Sequence, residues 1–371
     1  MKNLLFLNGE YPHTVDIIRI LKKYENDLIV HVLIKQKNFH CRSKYIDVFH
    51  FLQDNQNIIE FVYLLQEKYD FDMIFPVGFP EVEIFAKEKE RFKNIFVENY
   101  DIVDKAISKI ETLKIAEKLG IPVPKSIVLH SKKDFLKLEK NGFHLPLFVK
   151  SFKEMEGRIR GIARKHIQLV ELCNKTFKAG SKPLIQEFIN DPFTYGVGVL
   201  AEKGEIKKCF IHKELLSYPP AGGSGVILTT FNDKQLISYS EKLIDFLNYT
   251  GFALVEFKYD SRINDYVLME INAKFWASID FALALKPDLF PSINSDNKLS
   301  NNHIYLFPDR LVSTSRYAPF KTMKWFFHFL FFWGKRKINF NFKDFKYEMC
   351  KIIICFGTYL PSSIKKLIKN E

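Results

Sequence analysis

Residues 267–280 read VLMEINAKFWASID. An apolar run of Val267, Leu268 and Met269 breaks into Glu270, Ile271 and Asn272, then resumes at Phe275 and Trp276. In a strand, Met269 and Ile271 point to one face, and Glu270 and Asn272 to the other. A carboxylate and an amide oxygen then stand side by side between apolar neighbours. That arrangement either caps local backbone or holds a hard cation.

The segment before it, LVEFKYD over residues 254–260, carries Glu256, and the turn-rich residues 261–265 predict a hairpin between the two. Neighbouring strands lie ~4.8 Å apart, so both carboxylates and the Asn272 oxygen converge from one face. Magnesium takes oxygen ligands and is usually shared between a few protein carboxylates and nucleotide phosphates. Two buried carboxylates without a cation repel, which drives at least one pKa upward. The competing reading has Glu256 and Glu270 as separately solvated surface acids. Upstream, Lys150 ends the apolar run PLFVKSF, where an ammonium is costly unless an anion meets it. Lys105 and Lys213 also fall at element edges, although any single lysine is ordinarily a solvated surface group.

Residues 1–103 alternate strand and helix. NLLFLNG, DLIVHVLI and FDMIFPVG read as strands, with helices over 14–24 and in QNIIEFVYLLQEKY, so this part predicts a parallel sheet. No G-x-G-x-x-G phosphate loop is present, since Gly9 is followed by Glu10, Tyr11 and Pro12. This lobe is therefore expected to pack or to present substrate, not to bind a dinucleotide. The opening apolar run is cut short by Asn8, Gly9 and Glu10, and reads as a buried first strand instead of a signal peptide. DKAISKIETLKIAEKLG then predicts one helix closed by Gly120, ahead of a link stiffened by Pro122 and Pro124.

The 371 residues are 47% hydrophobic and 26% charged, which places the chain among globular proteins of two or three lobes. The net charge of +12 is spread without a long basic run or an aromatic–basic motif, so no nucleic-acid partner is expected. Cys41, Cys173, Cys209, Cys350 and Cys355 form no C-x-x-C pair, which suits a reducing, cytoplasmic setting. MKWFFHFLFFWGKRK (residues 323–337) is too short to span a bilayer and is interrupted by His328. It is expected to be a terminal helix packed on the core; surface contact with a membrane through 324–337 is the weaker reading.

Taken in order, these pieces resemble the ATP-grasp superfamily, in its carbamoyl-phosphate-synthase-like branch of carboxylate–amine ligases. DKAISKIETLKIAEKLGIPVPKS is similar to the family's entry helix and G-I-P-x-P signature, and PLFVKS to the strand bearing the nucleotide lysine, Lys150. LIQEFI is similar to the adenine hinge, where Glu187, Phe188 and Ile189 would face the base. IHKELLSYPPAGGSGV resembles the basic strand and glycine loop, with Lys213 toward the phosphates. VEFKYD and LMEINAKFW resemble the metal-binding pair, with Glu256, Glu270 and Asn272 as ligands.

The resemblance covers residues 100–290 well and the ends loosely, including the tail TYLPSSIKKLI. It implies an α/β chain: a Rossmann-like domain over 1–103, an ATP-grasp domain over 104–300 whose lobes (104–189 and 190–300) clamp ATP, and a helical extension over 301–371. It also implies ATP and Mg2+, with Mn2+ as an alternative ion, and small carboxylate and amine substrates. Lys105, Lys150 and Lys213 would bind nucleotide, and Lys213 and Lys274 would act in phosphoryl transfer.

The chain departs from the pattern at several points. Lys274 stands where the family usually has arginine, keeping the charge without the planar fork. The loop after Lys150, normally glycine-rich, keeps Gly157 and Gly161, and Glu214, Leu216 and Ser217 replace charges common in the basic strand. These departures sustain a second reading, a catalytically impaired nucleotide-binding protein at a membrane face.

Overall fold

A computed structural model describes residues 2–25, 27–35, 42–152, 159–219, 223–293 and 302–356. Gly157, residues 220–222, residues 294–301 and the tail sequence TYLPSSIKKLI (358–368) lie outside that description.

The first lobe runs β1 (Lys2–Phe6), α1 (Pro12–Tyr24), β2 (Leu28–Ile34), β3 (Val48–Phe51), α2 (Ile58–Tyr69), β4 (Met73–Phe75) and α3 (Glu81–Lys87). Its strands pair in parallel in the order β3-β2-β1-β4. The β3 strand has no counterpart in the sequence reading, because VFHF is only four residues long and shows no alternation to mark it. Proline in the first turn starts α1, and the Asn57 side chain caps α2 by accepting from the N–H groups of Ile59 and Glu60.

The single helix expected after residue 104 is two, α4 (Tyr100–Ile107) and α5 (Lys109–Lys118). Ser108 adopts an extended conformation between them, ending α4 and accepting from Glu111 N to cap α5. Gly120, at φ +70°, closes α5 as its sequence predicts.

A second sheet follows: β5 (Ser126–Val128), α6 (Phe135–Lys140), β6 (Leu147–Ser151), β7 (Arg160–Ala163), α7 (His166–Lys178) and β8 (Pro183–Glu187), with strand order β5-β8-β6-β7. The third and largest sheet begins with β9 (Thr194–Glu202), β10 (Glu205–Tyr218) and β11 (Ser224–Thr230). After α8 (Lys234–Leu247) come β12 (Gly251–Asp260), β13 (Asp265–Asn272) and α9 (Ile279–Leu285). The remainder is β14 (His303–Leu306), α10 (Pro308–Ser315), α11 (Pro319–Leu330), β15 (Lys335–Ile338) and α12 (Phe345–Phe356).

Among the described residues this sheet has the order β13-β12-β9-β10-β11-β14-β15. The expected helical extension therefore contributes two strands: β14 joins β11 antiparallel and β15 joins β14 in parallel. Its charged sequence, KRKI, protects the open edge of the sheet. Helix α11 packs on the sheet through Phe329 but leaves Phe327 exposed, as are Phe331 and Trp333 just beyond its end, so the expected packing holds for one face alone.

The first lobe and the large sheet share one apolar core, in which Phe6, Ile17 and Phe75 meet Phe252, Phe275 and Phe281. Buried charges join them as well: Arg19 on α1 reaches Asp280 on α9 at 2.8 Å and Glu348 on α12 at 3.0 Å. Close approach matters beneath the site. A Cβ on Gly198 would lie 2.3 Å from Trp276, so the Trp276 ring lies against bare backbone, two residues beyond Lys274.

Candidate functional site: a carboxylate pair beneath a buried lysine

Cross-strand register aligns His212 with Gly196, Gly196 with Glu256, and Glu256 with Glu270, in one row over four strands. Directly opposed residues share a face, so the two carboxylates stand side by side. A bulge follows Glu256 and keeps the pair in register while the ladder shifts beyond it. Asn272 lies two residues along on the same face, and its amide Nδ2 donates to Glu270 Oε1 at 3.3 Å.

The small sheet supplies the positive charge. Lys150, at the end of β6, is buried, with Nζ 3.9 Å from Glu270 Oε2. Burial pushes its pKa down to about 8, although Glu270 and Glu256 oppose the shift. Burial also raises Glu256 well above the usual carboxylate range, with Glu270 and Glu214 adding to it. Burial would raise Glu270 too, but Lys150 and Lys109 outweigh it and hold this carboxyl below its ordinary value. One carboxylate is thus kept ionised by cations while its neighbour is strained toward the neutral form.

Several sequence-predicted residues gather here and others do not. Lys150, Glu256, Glu270 and Asn272 converge. Glu187 ends β8; its N–H donates to Lys125 O at 2.8 Å and its carboxylate pairs with Arg262. Phe188 lies beneath the Arg164 guanidinium, 5.7 Å from ring centroid to Cζ, and Ile189 is buried. Lys105 is exposed on α4. Lys213 is opposed to Tyr195 in the ladder and so takes the other face of the sheet, its ammonium 3.9 Å from the Phe193 ring centroid and 5.2 Å from that of Tyr195. Strand alternation puts His212 and Glu214, not Lys213, on the carboxylate face. Buried His212 lies over Gly196, and burial pushes its pKa to about 4, which suits a structural histidine.

Sequence reading passed over three basic residues at this site. Lys109, the first residue of α5, lines a small cavity together with Phe79, Thr112, Glu270 and Asn272. Arg160 stands opposite Lys150 across the β6–β7 ladder and adds its charge to the field on Glu270. Lys258, two residues beyond Glu256 on the same face, donates to the carbonyls of Asp191 and Phe193, each at 2.8 Å. Its spacing from Glu256 was the available signal; Lys109 had none, because its position depends on the helix break at Ser108.

Lys274 borders a neighbouring cleft. Its N–H donates to Asn272 O at 2.9 Å, and its ammonium stands 4.6 Å from the Phe79 ring centroid. The cleft lies between the first lobe and the large sheet, lined by Phe96, Glu98, Tyr249, Thr250 and Lys274 among others. Phe79 thus lies against both the Glu270 cavity and Lys274.

The donor set suits magnesium in kind. Among the described residues no cluster of three or more His, Cys, Asp or Glu is placed to hold a metal. Two carboxylates and an amide are instead the partial shell that magnesium completes with phosphate oxygens and water. A cation between Glu256 and Glu270 would relieve the repulsion that raises Glu256.

Residues 108–286 match the family described as "Carbamoyl-phosphate synthase L chain, ATP binding domain". The chain is 23% identical over 220 residues to a D-aspartate ligase of Enterococcus faecium (strain Aus0004), which covers 52% of this chain and 50% of that protein. It therefore spans about half the length of that relative. Among solved structures, the Hydrogenobacter thermophilus 2-oxoglutarate carboxylase biotin carboxylase domain, in complex with ADP, magnesium and bicarbonate, superposes with a TM-score of 0.62 at 16% identity, over 76% of this chain and 66% of that one. An L-amino acid ligase from Bacillus licheniformis gives a TM-score of 0.59 at 17% identity, over 76% and 71%. Likeness at such identities establishes the fold. It is the ATP-grasp fold, with a parallel-sheet lobe ahead of it. Residues 108–286, a little under half of the chain, are thus similar to the carbamoyl-phosphate synthase ATP-binding domain.

Proposed function

We propose that the protein is an ATP-dependent ligase that activates a small carboxylate as an acyl phosphate for attack by an amine or another nucleophile. The observation that carries this reading is the convergence of Lys150 from the small sheet on Glu256, Glu270 and Asn272 of the large one. Glu256, Glu270 and Asn272 would hold magnesium, which when bound neutralises charge on the phosphates. Lys150, Lys109 and Arg160 surround the same face and would fix the phosphate oxygens by charge. Phe188 and Ile189, in the link between β8 and β9, would receive the base.

The cleft beside Lys274 would take the carboxylate substrate, and Lys274 would bind the carboxylate or the transferred phosphoryl oxygens. The lining of the cleft sets the Lys274 ammonium among mostly apolar neighbours such as Phe96 and Phe252, in keeping with a small carboxylate of the amino-acid class. The D-aspartate ligase and the L-amino acid ligase among the similar proteins support that class.

Hydroxylamine tests the reading without knowledge of the amine, because it intercepts acyl phosphates as hydroxamates. Pooled small carboxylates with magnesium–ATP and hydroxylamine should give ADP and hydroxamate in equal amounts. ADP release without hydroxamate would contradict carboxylate activation. Nucleotide binding with no substrate-dependent ADP would favour the impaired, binding-only reading.

A further inference from the structure

Helix α11 is apolar on two opposite faces. One face is buried: Phe329, with Trp325 and Phe326 partly covered, packs on Val226, Ile304 and Leu306 of the large sheet. The other carries Phe320, Met323, Phe327 and Leu330, positions that fall on one stripe at helical spacing. Phe327 continues into the exposed Phe331, the two rings 6.5 Å apart, and Trp333 beyond them is 100% exposed. Together these side chains leave on the order of 700 Å² of apolar surface open, above the few hundred that soluble monomers usually leave contiguous.

The segment that carries the stripe is charged almost entirely with one sign. Residues 319–346 hold seven Lys and Arg against a single acid, Asp344. That acid is buried and accepts from Ser43 Oγ at 2.6 Å, so it does not balance the rim. Lys324, Lys335, Arg336, Lys343 and Lys346 are all exposed. A second copy of the chain would set basic rim against basic rim, which disfavours self-association through this face. A twelve-residue helix is ~18 Å long and cannot cross a bilayer, and no described helix is long and apolar enough to do so.

We propose that this face docks on an anionic lipid bilayer. The α11 stripe and Trp333 enter the boundary between headgroups and acyl chains, and the exposed Lys and Arg pair with lipid phosphates. The ATP-grasp site is then held at a membrane surface, in reach of a lipid-borne or membrane-proximal substrate. The inference rests on the surface alone and stands whether or not the ligase reading does.

Flotation of the full chain with phosphatidylglycerol–phosphatidylcholine vesicles, and with phosphatidylcholine vesicles alone, tests it. Binding to the anionic vesicles should exceed binding to the neutral ones by at least roughly tenfold, and Trp emission should shift to the blue. Phe320→Ser/Phe331→Ser/Trp333→Ser changes only exposed side chains; its melting temperature should match the wild type while vesicle binding falls by at least roughly tenfold. Charge reversal by Lys324→Glu/Lys335→Glu should abolish the preference for anionic lipid. Absence of flotation with anionic vesicles, or flotation undiminished in the triple serine variant, would overturn the proposal. So would a dimer in sedimentation that the serine variant dissociates while vesicles fail to bind, because that outcome assigns the face to a second copy.

Discussion

Glu256 and Glu270 face each other directly across the β12–β13 ladder, one held in its charged form by lysines and the other pushed by burial toward neutrality. The pair is under electrostatic strain that a divalent cation would relieve. Glu270→Gln would remove the proposed ligand without changing shape, so magnesium-dependent ATP affinity should fall by at least about tenfold; the free protein should stay folded but melt no higher than the wild type, because buried Lys150 loses its carboxylate partner. Calorimetry with and without magnesium checks this. Equal magnesium–ATP affinity in the variant would remove Glu270 from the metal site.

The lysines near the cavity divide by position. Lys109 lines the cavity with Glu270, whereas Lys105 is exposed on α4. Lys109→Ala and Lys150→Ala should each weaken ATP by about tenfold or more and adenosine little, since only the phosphates feel these charges. Lys105→Ala should leave both ligands within about twofold, as surface lysines generally do. If Lys105→Ala weakened ATP as much as Lys109→Ala, the assignment would be reversed.

Glu214 gives the fold a pH dependence. Burial raises its pKa to about 7, against the opposing pull of Arg310, Gly225 N–H and Lys258. The folded state therefore keeps a proton that the unfolded chain releases near 4.5. Stability from this group is present at low pH and is lost as pH rises from about 4.5 to 7, by on the order of 3 kcal/mol. Denaturant unfolding of wild type and Glu214→Gln from pH 5 to pH 8 reads the difference. The variant should lose less stability over that range, and identical slopes would refute the shift.

On the proposed reading, Lys274 would act on turnover. A charge contact that strengthens as negative charge shifts during transfer affects kcat more than ground-state binding. Lys274→Ala should lower ADP production by about 100-fold, the scale of one lost electrostatic stabiliser, with ATP affinity within a few-fold. Lys274→Arg should remain active. Undiminished turnover in Lys274→Ala would take this residue out of the mechanism.

Much of the architecture was legible in the sequence because its signals are local. The turn residues 261–265 marked the β12–β13 hairpin, and alternation put Glu256, Glu270 and Asn272 on one face. Strand and helix alternation revealed the parallel first lobe, apart from the four-residue β3. What stayed hidden depends on long-range placement or on a single backbone angle. The break at Ser108 cannot be read from helical spacing, and it is what puts Lys109 at the head of α5. Lys213 looked like a phosphate ligand by its place in a motif, but strand parity turns it to the aromatic face with Phe193 and Tyr195. The strands β14 and β15 lie in a Phe-rich stretch whose composition masks their short extended segments.

The most direct test of the central claim is ADP release by the full chain with magnesium–ATP and pooled small carboxylates and amines, set beside Glu270→Gln. ADP production should require both a carboxylate and magnesium and should fall to background in Glu270→Gln. Wild-type protein that binds ATP yet releases no substrate-dependent ADP from any pool, or a Glu270→Gln variant that turns over like wild type, would contradict it.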